Sequence, residues 1–422
     1  MAVDLVDHRK KWLSGASSDR RGFDIEGLSR LLILGAGVKR FPKMSDRYFR
    51  TYASAGALHP NEIHVAAGSV DGLESGLYHF HPRDKKLVML GEGDPRHILV
   101  EANGNESLLD HSVILAVSGI PWRTSWKYGP RGYRHLWWDA GMIIANLIAL
   151  ANPAGLPSRV VGHFVDDRVN QLIGVDGRTE MALALVGIGE GALSSEQGYS
   201  ALSIPAAPIS SNPFEFPEIT AVHRETSSSS TDDFHQQAAM AGTGDPIDDI
   251  EEVIWKRGST RKFDPSASIK QGELENALAY ASAPIPYDWK PPMNELFVIA
   301  NAVDGLEPGA YHWDQQKLQR ISGDPRARET AHFLSLDQAL GRDAAAVIFP
   351  MADLGSAVET AGPRGYRTAQ LEGAIMSGRL YLAAYAAGYG ATGLTFYDEE
   401  VSKYFQTSRE PTLEVAIGTP DY

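Results

Sequence analysis

The stretch Trp126-Lys127-Tyr128-Gly129-Pro130-Arg131-Gly132-Tyr133-Arg134 decides how this chain is organised, because most of it is written twice. Gly129-Pro130-Arg131-Gly132-Tyr133-Arg134 returns letter for letter as Gly362-Pro363-Arg364-Gly365-Tyr366-Arg367, an offset of 233 residues. The same offset carries Asp71-Gly72-Leu73 onto Asp304-Gly305-Leu306, and Gly76-Leu77-Tyr78-His79 onto Gly309-Ala310-Tyr311-His312. Three blocks in one register mark a tandem duplication. The copies part just before the shared hexamer, with Lys127-Tyr128 in the first and Thr360-Ala361 in the second. A pair able to exchange protons stands on one side only, and the chemistry is expected there.

Composition sets the outer limits. A chain of 422 residues exceeds one ordinary core and suits two domains. With 43% hydrophobic and 22% charged residues it reads as a soluble globular protein. A formal charge of −14 argues against nucleic acid as a partner, since phosphate backbones need a positive face. A small anion in a local positive pocket remains compatible with it. The absence of cysteine removes disulfides, thiolate nucleophiles and Cys-ligated zinc or iron–sulfur centres. Residues 1–11 lack the apolar stretch of a signal peptide, and no run reaches the roughly 18 apolar residues of a membrane span. The expectation is a cytoplasmic protein without a membrane partner.

Taken in order, residues 25–36 carry apolar side chains at helical spacing. The run from Arg50 to Pro60 is rich in small residues, which lets backbone N–H groups approach a flat or anionic ligand; it serves equally as a plain turn before a strand. Residues 62–68, 76–81, 86–90, 112–118 and 181–188 read as strands, and 133–151 as a helix apolar nearly all round. The second copy repeats this with a helix from 250, a helix at 271–283, strands at 295–300 and 344–350, a long helix at 367–389 and a closing strand at 413–418. Each copy is therefore α+β, with a long central helix and a modest antiparallel sheet. Between them Ser, Pro, Ala and Gly dominate, with serine at each of positions 227–230, as in a linker. The boundaries are set at 1–190, 191–249 and 250–422. Two such copies would pack most simply as an intrachain pseudo-dimer.

Several groups are candidates for chemistry. Arg257-Gly258-Ser259-Thr260-Arg261-Lys262 gathers two guanidiniums, an ammonium and two hydroxyls within six residues, enough to surround a phosphate; a solvated basic turn is the bland alternative. The first copy has only a loose counterpart around Ser17, Asp19 and Arg20, where the aspartate would repel phosphate. Lys127 and Tyr128 suit proton transfer. Arg131 and Arg134 occur in both copies and more naturally hold the helix start. His79 and His81 share a strand face, but no third metal ligand accompanies them, and no metal is assigned. The glycine-rich run from Gly388 to Leu394 suits a backbone passing beside a flat ring. No Walker motif, GxSxG or HExxH occurs, and no GxGxxG sits between a strand and a helix, which argues against an ATPase, an α/β-hydrolase, a zincin and a Rossmann dehydrogenase.

Arg50-Thr51-Tyr52-Ala53-Ser54-Ala55-Gly56-Ala57-Leu58-His59-Pro60, Gly76 to His79, and Lys127 to Arg134 with the helix that follows resemble the SagB-type branch of the flavin-dependent nitroreductase superfamily. Arg257 to Phe263 resembles the superfamily's Arg-x-Ser-x-Arg signature for the FMN phosphate, and Gly390 to Phe396 its glycine-bearing segment beside the flavin. The resemblance spans nearly all of the chain outside the linker. Ala53 departs from the family's usual proline. It implies two α/β sandwich domains of nitroreductase type with FMN as cofactor. Arg257, Ser259 and Arg261 would hold the phosphate, and Thr392 and Gly393 would lie beside the ring. Ser54, Ala55 and Gly56 would approach the ring from the first copy, with Lys127 and Tyr128 as catalytic residues. The mirror arrangement, built on Asp19, residues 284–292 and Thr360-Ala361, departs from the pattern throughout, so one working FMN site and one vestigial one are expected.

SagB-type enzymes oxidise thiazolines and oxazolines in modified peptides to azoles. By that likeness Lys127 or Tyr128 removes a proton from the carbon next to the ring carbonyl, with hydride transfer to FMN and reoxidation by dioxygen. The implied partners are a peptide or carrier-bound small-molecule substrate and a cyclising or carrier protein, and the pseudo-dimer has room to associate further. Two other readings are an NAD(P)H-dependent reductase of nitro compounds, quinones or flavins, and a non-catalytic scaffold that docks peptide for a cyclising enzyme.

Overall fold

The computed structural model describes residues 2–7, 23–41, 48–68, 70–191, 198–204, 208, 210–233, 246–289 and 292–422. The chain divides into two units, one of Met1–Ala241 with Ile285–Trp289, the other of Gly242–Pro284 with Lys290–Tyr422. The described residues between 191 and 233 therefore group with the first copy, and so does a short piece of the second.

In unit 1 the helix α1 (Ile25–Ala36) starts where the Asp24 carboxylate accepts the Gly27 N–H at 2.8 Å. The sheet holds β1 (Ala2–Asp4), β2 (Asn61–Ala67), β3 (Gly76–His81), β4 (Lys86–Glu92), β5 (Val113–Gly119), β6 (Ser158–Val161) and β7 (Met181–Ile188). Its order is β1-β4-β3-β2-β5-β7-β6, and the two-residue β8 (Ser200–Ala201) adds to β4. Every pairing is antiparallel. A short helix, α2 (Trp122–Tyr128), leads into the long α3 (Gly132–Ala151), which is buried along nearly its whole length. Such a helix needs apolar residues on every side, as its sequence has. Gly35 lets α1 lie close on α3, since a Cβ there would stand 2.7 Å from Leu147 Cδ2.

The linker is structured where it is described. Besides β8 it forms α4 (Pro217–Glu225), whose buried His223 lies 3.3 Å from the Tyr133 hydroxyl at the start of α3. Beside α2 it helps line a cavity of about 510 Å³, with Trp122, Phe214 and Phe216 in the wall. A serine- and proline-rich composition reports weak local preference, and the burial of His223 supplies what local preference lacks.

Unit 2 repeats the plan with α5 (Ile250–Lys256), α6 (Gln271–Ser282), β9 (Asn294–Ala300), β10 (Gly309–Trp313), β11 (Leu318–Gly323), β12 (Ala346–Ala352), α7 (Leu354–Ala361), α8 (Gly365–Ala386), β13 (Gly390–Gly393) and β14 (Val415–Gly418). The path β11-β10-β9-β12-β14-β13 matches β4-β3-β2-β5-β7-β6 strand for strand. The 233-residue offset also holds in the pairing register. Asn61 pairs with Gly119 as Asn294 pairs with Ala352, and His64 with His79 as Phe297 with His312. The duplication is thus one of structure as well as of letters. No helix among the described residues is long and apolar enough to cross a membrane.

Candidate functional site

Gly129 ends α2 with φ 59° and ψ −148°, and Gly362 ends α7 with φ 63° and ψ −168°. That region of backbone space is open essentially to glycine alone, so the first glycine of the repeated hexamer is a chain reversal kept in both copies. The reversal leaves Lys127 and Tyr128 on the last turn of α2, exposed and half-buried respectively, before one 3-10 turn and the start of α3.

The run of small residues supplies the other wall. Gly56 is left-handed at φ 63°, and so are two residues with side chains, Ala57 at 55° and His59 at 48°. Each of the latter costs about 1–2 kcal/mol, so the surroundings must hold the turn. The Ser54 carbonyl accepts the Ala57 N–H at 3.0 Å and its hydroxyl oxygen accepts the His59 N–H at 2.9 Å. A Cβ on Gly56 would stand 2.9 Å from Lys127 Nζ and 3.0 Å from the Tyr128 hydroxyl. Three of the residues singled out in sequence therefore meet at one point, with Ser54 and Ala55 beside them.

Beneath Tyr128 the ring of His135 stacks at 4.2 Å and 21°, and Trp138 meets His135 edge-on at 4.6 Å. Burial pushes His135 down to about 3, helped by the nearby charges of Arg131, Lys127 and Arg134. His135 is thus neutral at physiological pH and acts as a stacking surface. Asp139, one turn further along α3, accepts the Ala55 N–H at 3.3 Å on Oδ1 and hydrogen-bonds the Ser54 hydroxyl. Burial pushes its carboxyl up to about 7 against the opposing pull of those bonds and of Arg50.

The second group of predicted residues lies in unit 2, around the hydroxyl of Tyr381 on α8. That hydroxyl accepts the Gly393 N–H and hydrogen-bonds the side chains of Ser259 and Thr392. The Arg257 guanidinium lies 5.8 Å from the Tyr381 ring centre and is buried, whereas Arg261 is exposed. The turn after α5 is locked to β13 by the Thr260 N–H, which donates to the Ala391 carbonyl at 2.9 Å. A Cβ on Gly390 would come within 2.1 Å of Thr260 Oγ1, so only glycine permits this approach. A buried guanidinium and hydroxyls on one turn form a donor set for a phosphate dianion. Beside it Gly393 exposes a stretch of backbone without a side chain.

The equivalent edge of unit 1 is filled. There β6 takes the place of β13, and its Val160 N–H donates to the Pro286 carbonyl at 2.6 Å. Asp288 accepts the Gly162 N–H at 2.8 Å and the His163 N–H at 3.2 Å. Buried Tyr287 and Trp289 stack beside it at 4.3 Å. The turn around Asp19 lies outside the described residues, as do Lys290 and Pro291. His79 pairs with Glu62 at 3.0 Å, and His312 with Glu295 at the same distance, so this pair belongs to the repeated scaffold.

Sequence reading did not find His135, Asp139 or Tyr381. The signal was available in the offset: Thr368, Glu372 and, on the first copy, Ile148 stand at the partner positions. His135 and Asp139 are also four apart and so share one helix face.

Residues 26–190 and again 254–419 match the Nitroreductase family model. A crystal structure of a nitroreductase family protein from Anabaena variabilis is 26% identical, covers 100% of this chain and 92% of its own, and superposes with a TM-score of 0.82. A protein of Methanocaldococcus jannaschii named as a nitroreductase is 29% identical over 163 residues, 38% of this chain and 78% of that protein. The microcin B17-processing protein McbC of Escherichia coli is 26% identical over 147 residues, 33% of this chain and about half, 54%, of McbC. The likeness to McbC agrees with the SagB-type branch read from the motifs. The chain belongs to the nitroreductase family of oxidoreductases and carries that family's domain twice.

Proposed function

We propose that the chain is an FMN-dependent dehydrogenase that oxidises thiazoline- or oxazoline-type rings in a peptide to azoles. The observation that carries the reading is the meeting of Lys127 Nζ and the Tyr128 hydroxyl at Gly56, in one copy and not the other. Similarity to a microcin-processing protein supports a peptide as the substrate carrier and a cyclising or carrier protein as partner. In this reading residues 1–190 and 250–422 are the two nitroreductase-type domains, and 191–249 runs between them in sequence, its described part up to residue 233 grouping with the first unit.

Arg257, Ser259 and Arg261 hold the FMN phosphate, and Thr392 and Gly393 border the ring. Ser54, Ala55 and Gly56 form the small-residue wall. Bound FMN supplies a two-electron acceptor, and the aromaticity of the azole product favours the oxidation. The protein's part is to place the substrate and manage a proton, which Lys127 or Tyr128 takes from the ring carbon. The His135 face keeps the Tyr128 ring oriented. The filled edge at β6 supports one FMN per chain.

The test is the FMN released per chain on denaturation, followed by oxidation of an azoline-bearing peptide. One FMN is expected, lost in Arg257→Ala and kept in Lys127→Ala, which no longer oxidises the peptide. Two FMN per chain would refute the single site, and normal turnover in Lys127→Ala would remove that lysine from the chemistry. The match to the family at large favours, as a second reading, an NAD(P)H-dependent reductase. Rapid bleaching of bound flavin by NAD(P)H, without azoline oxidation, would establish it.

A further inference from the structure

Asp139 has no part in the chemistry described above, yet it sits directly under it. It is buried on α3, and its Oδ1 accepts the Ala55 N–H at 3.3 Å while the carboxyl bonds the Ser54 hydroxyl. Oδ2 has no hydrogen-bond partner among the described residues. The groups that face it are Arg50 and Tyr52, both on the segment leading into the turn. A buried carboxyl with one oxygen unmatched is expensive to keep unless it serves something.

The second copy offers an internal comparison. Glu372 stands at the partner position on α8, and its Oε2 accepts the Met293 N–H at 2.7 Å, the Asn294 N–H at 2.8 Å and Asn294 Nδ2 at 2.9 Å. It anchors the entry to β9, and three donors satisfy it. In the first copy Asn61 keeps the equivalent bond, donating from Nδ2 to the Leu136 carbonyl as Asn294 does to Ala369, both near 3 Å. The one-methylene-shorter Asp139 serves the 54–56 turn instead. The change of partner occurs in the copy that has Lys127 and Tyr128.

We propose that Asp139 is a positioning residue that holds the strained 54–56 turn where Gly56 meets Lys127 Nζ and the Tyr128 hydroxyl. The proposal rests on the reading of that pair as the proton-handling groups. It requires a tether because Ala57 and His59 are held left-handed, and without one the turn relaxes towards ordinary backbone angles. The tether also changes with ionisation, since a carboxylate accepts the Ala55 N–H and Ser54 O–H more strongly than a neutral carboxyl does.

The experiment compares the full-length, FMN-loaded wild type with Asp139→Asn and Asp139→Ala by hydrogen exchange of the peptide covering residues 52–60, and by kcat, KM and FMN content with an azoline peptide. In Asp139→Ala, exchange at Ala55 to His59 should rise several-fold, up to about tenfold for the loss of one such bond, with α3 unchanged. There kcat should fall at constant KM and constant FMN. Asp139→Asn, which still accepts both bonds, should restore slow exchange and most of kcat but lose the dependence of kcat on ionisation near neutral pH. Unchanged exchange in Asp139→Ala, or an Asp139→Asn that behaves as Asp139→Ala in both readouts, would overturn the tether. Should Asp139→Ala fail to fold, Ser54→Ala removes one donor at the half-buried turn; unaltered exchange at Ala55, whose N–H bonds Asp139 rather than Ser54, refutes the proposal as well. Faster exchange in Asp139→Ala with no azoline oxidation in the wild type would leave the tether standing and refute the assigned reaction.

Discussion

Asp139 also makes a prediction about stability that needs no substrate. Its carboxyl, ordinarily near 3.8, is pushed up to about 7 in the folded protein by burial. Below the ordinary value both the folded and the unfolded chain hold the proton, and the group is silent. Between about 4 and 7 the unfolded chain ionises and the folded one does not, so rising pH favours unfolding by up to about 1.4 kcal/mol per pH unit. Above 7 both are ionised and the loss is complete, on the order of 4 kcal/mol in all. Asparagine has the same shape, accepts the same bonds and cannot ionise. The difference in unfolding free energy between Asp139→Asn and wild type should therefore grow in favour of the variant as pH rises from 4 to 7, then level off. Chemical denaturation of both proteins at half-unit steps of pH reads it directly, and the other carboxylates cancel in the difference. Parallel curves across that window would show that Asp139 ionises in the folded protein as it does in water, and the account of its burial would fall.

Three further outcomes follow from the geometry. Tyr381→Phe removes the hydroxyl at which Ser259, Thr392 and Gly393 meet, and should lower stability by about 1–3 kcal/mol and FMN retention with it; full FMN content after gel filtration would contradict the role given to that cluster. Gly56→Ala places a methyl where Lys127 Nζ and the Tyr128 hydroxyl now approach, and adds about 1–2 kcal/mol of left-handed strain. Turnover should fall far more than FMN content, and equal losses of both would refute this. Glu414, buried and pushed up to about 8, should add a second loss of stability between pH 4.5 and 8 that Glu414→Gln abolishes, as the same denaturation series would detect.

What was legible in the sequence is what local chemistry and internal comparison can carry. The repeated hexamer and its offset of 233 announced two copies, and the strand registers obey the same offset. Helix α1 was readable because its apolar residues recur at helical spacing, and its Asp24 cap emerged with the structure. Gly129 and Gly362 were legible only as the first letters of the repeated hexamer; that both are chain reversals appears from their backbone angles in the fold. Lys127, Tyr128 and the 54–56 turn could be named from motif and asymmetry, but not their meeting at Gly56, since about seventy residues separate them.

The rest was decided by packing. Asp139 looks like one polar residue in an apolar helix, and its raised carboxyl exists only because α3 is buried under the turn it holds. Tyr381 acquires its role from partners on a loop more than a hundred residues earlier and on the strand that follows its helix. Residues 285–289 read as part of the second copy, yet Asp288 and Pro286 close an edge of the first. The linker looked unstructured because its serines and prolines favour no element, while His223 and Phe216 find partners only once α2 and α3 are in place. Periodicity and spacing are properties of neighbours along the chain. Burial and its consequences for charge belong to neighbours in space, and these only the folded protein supplies.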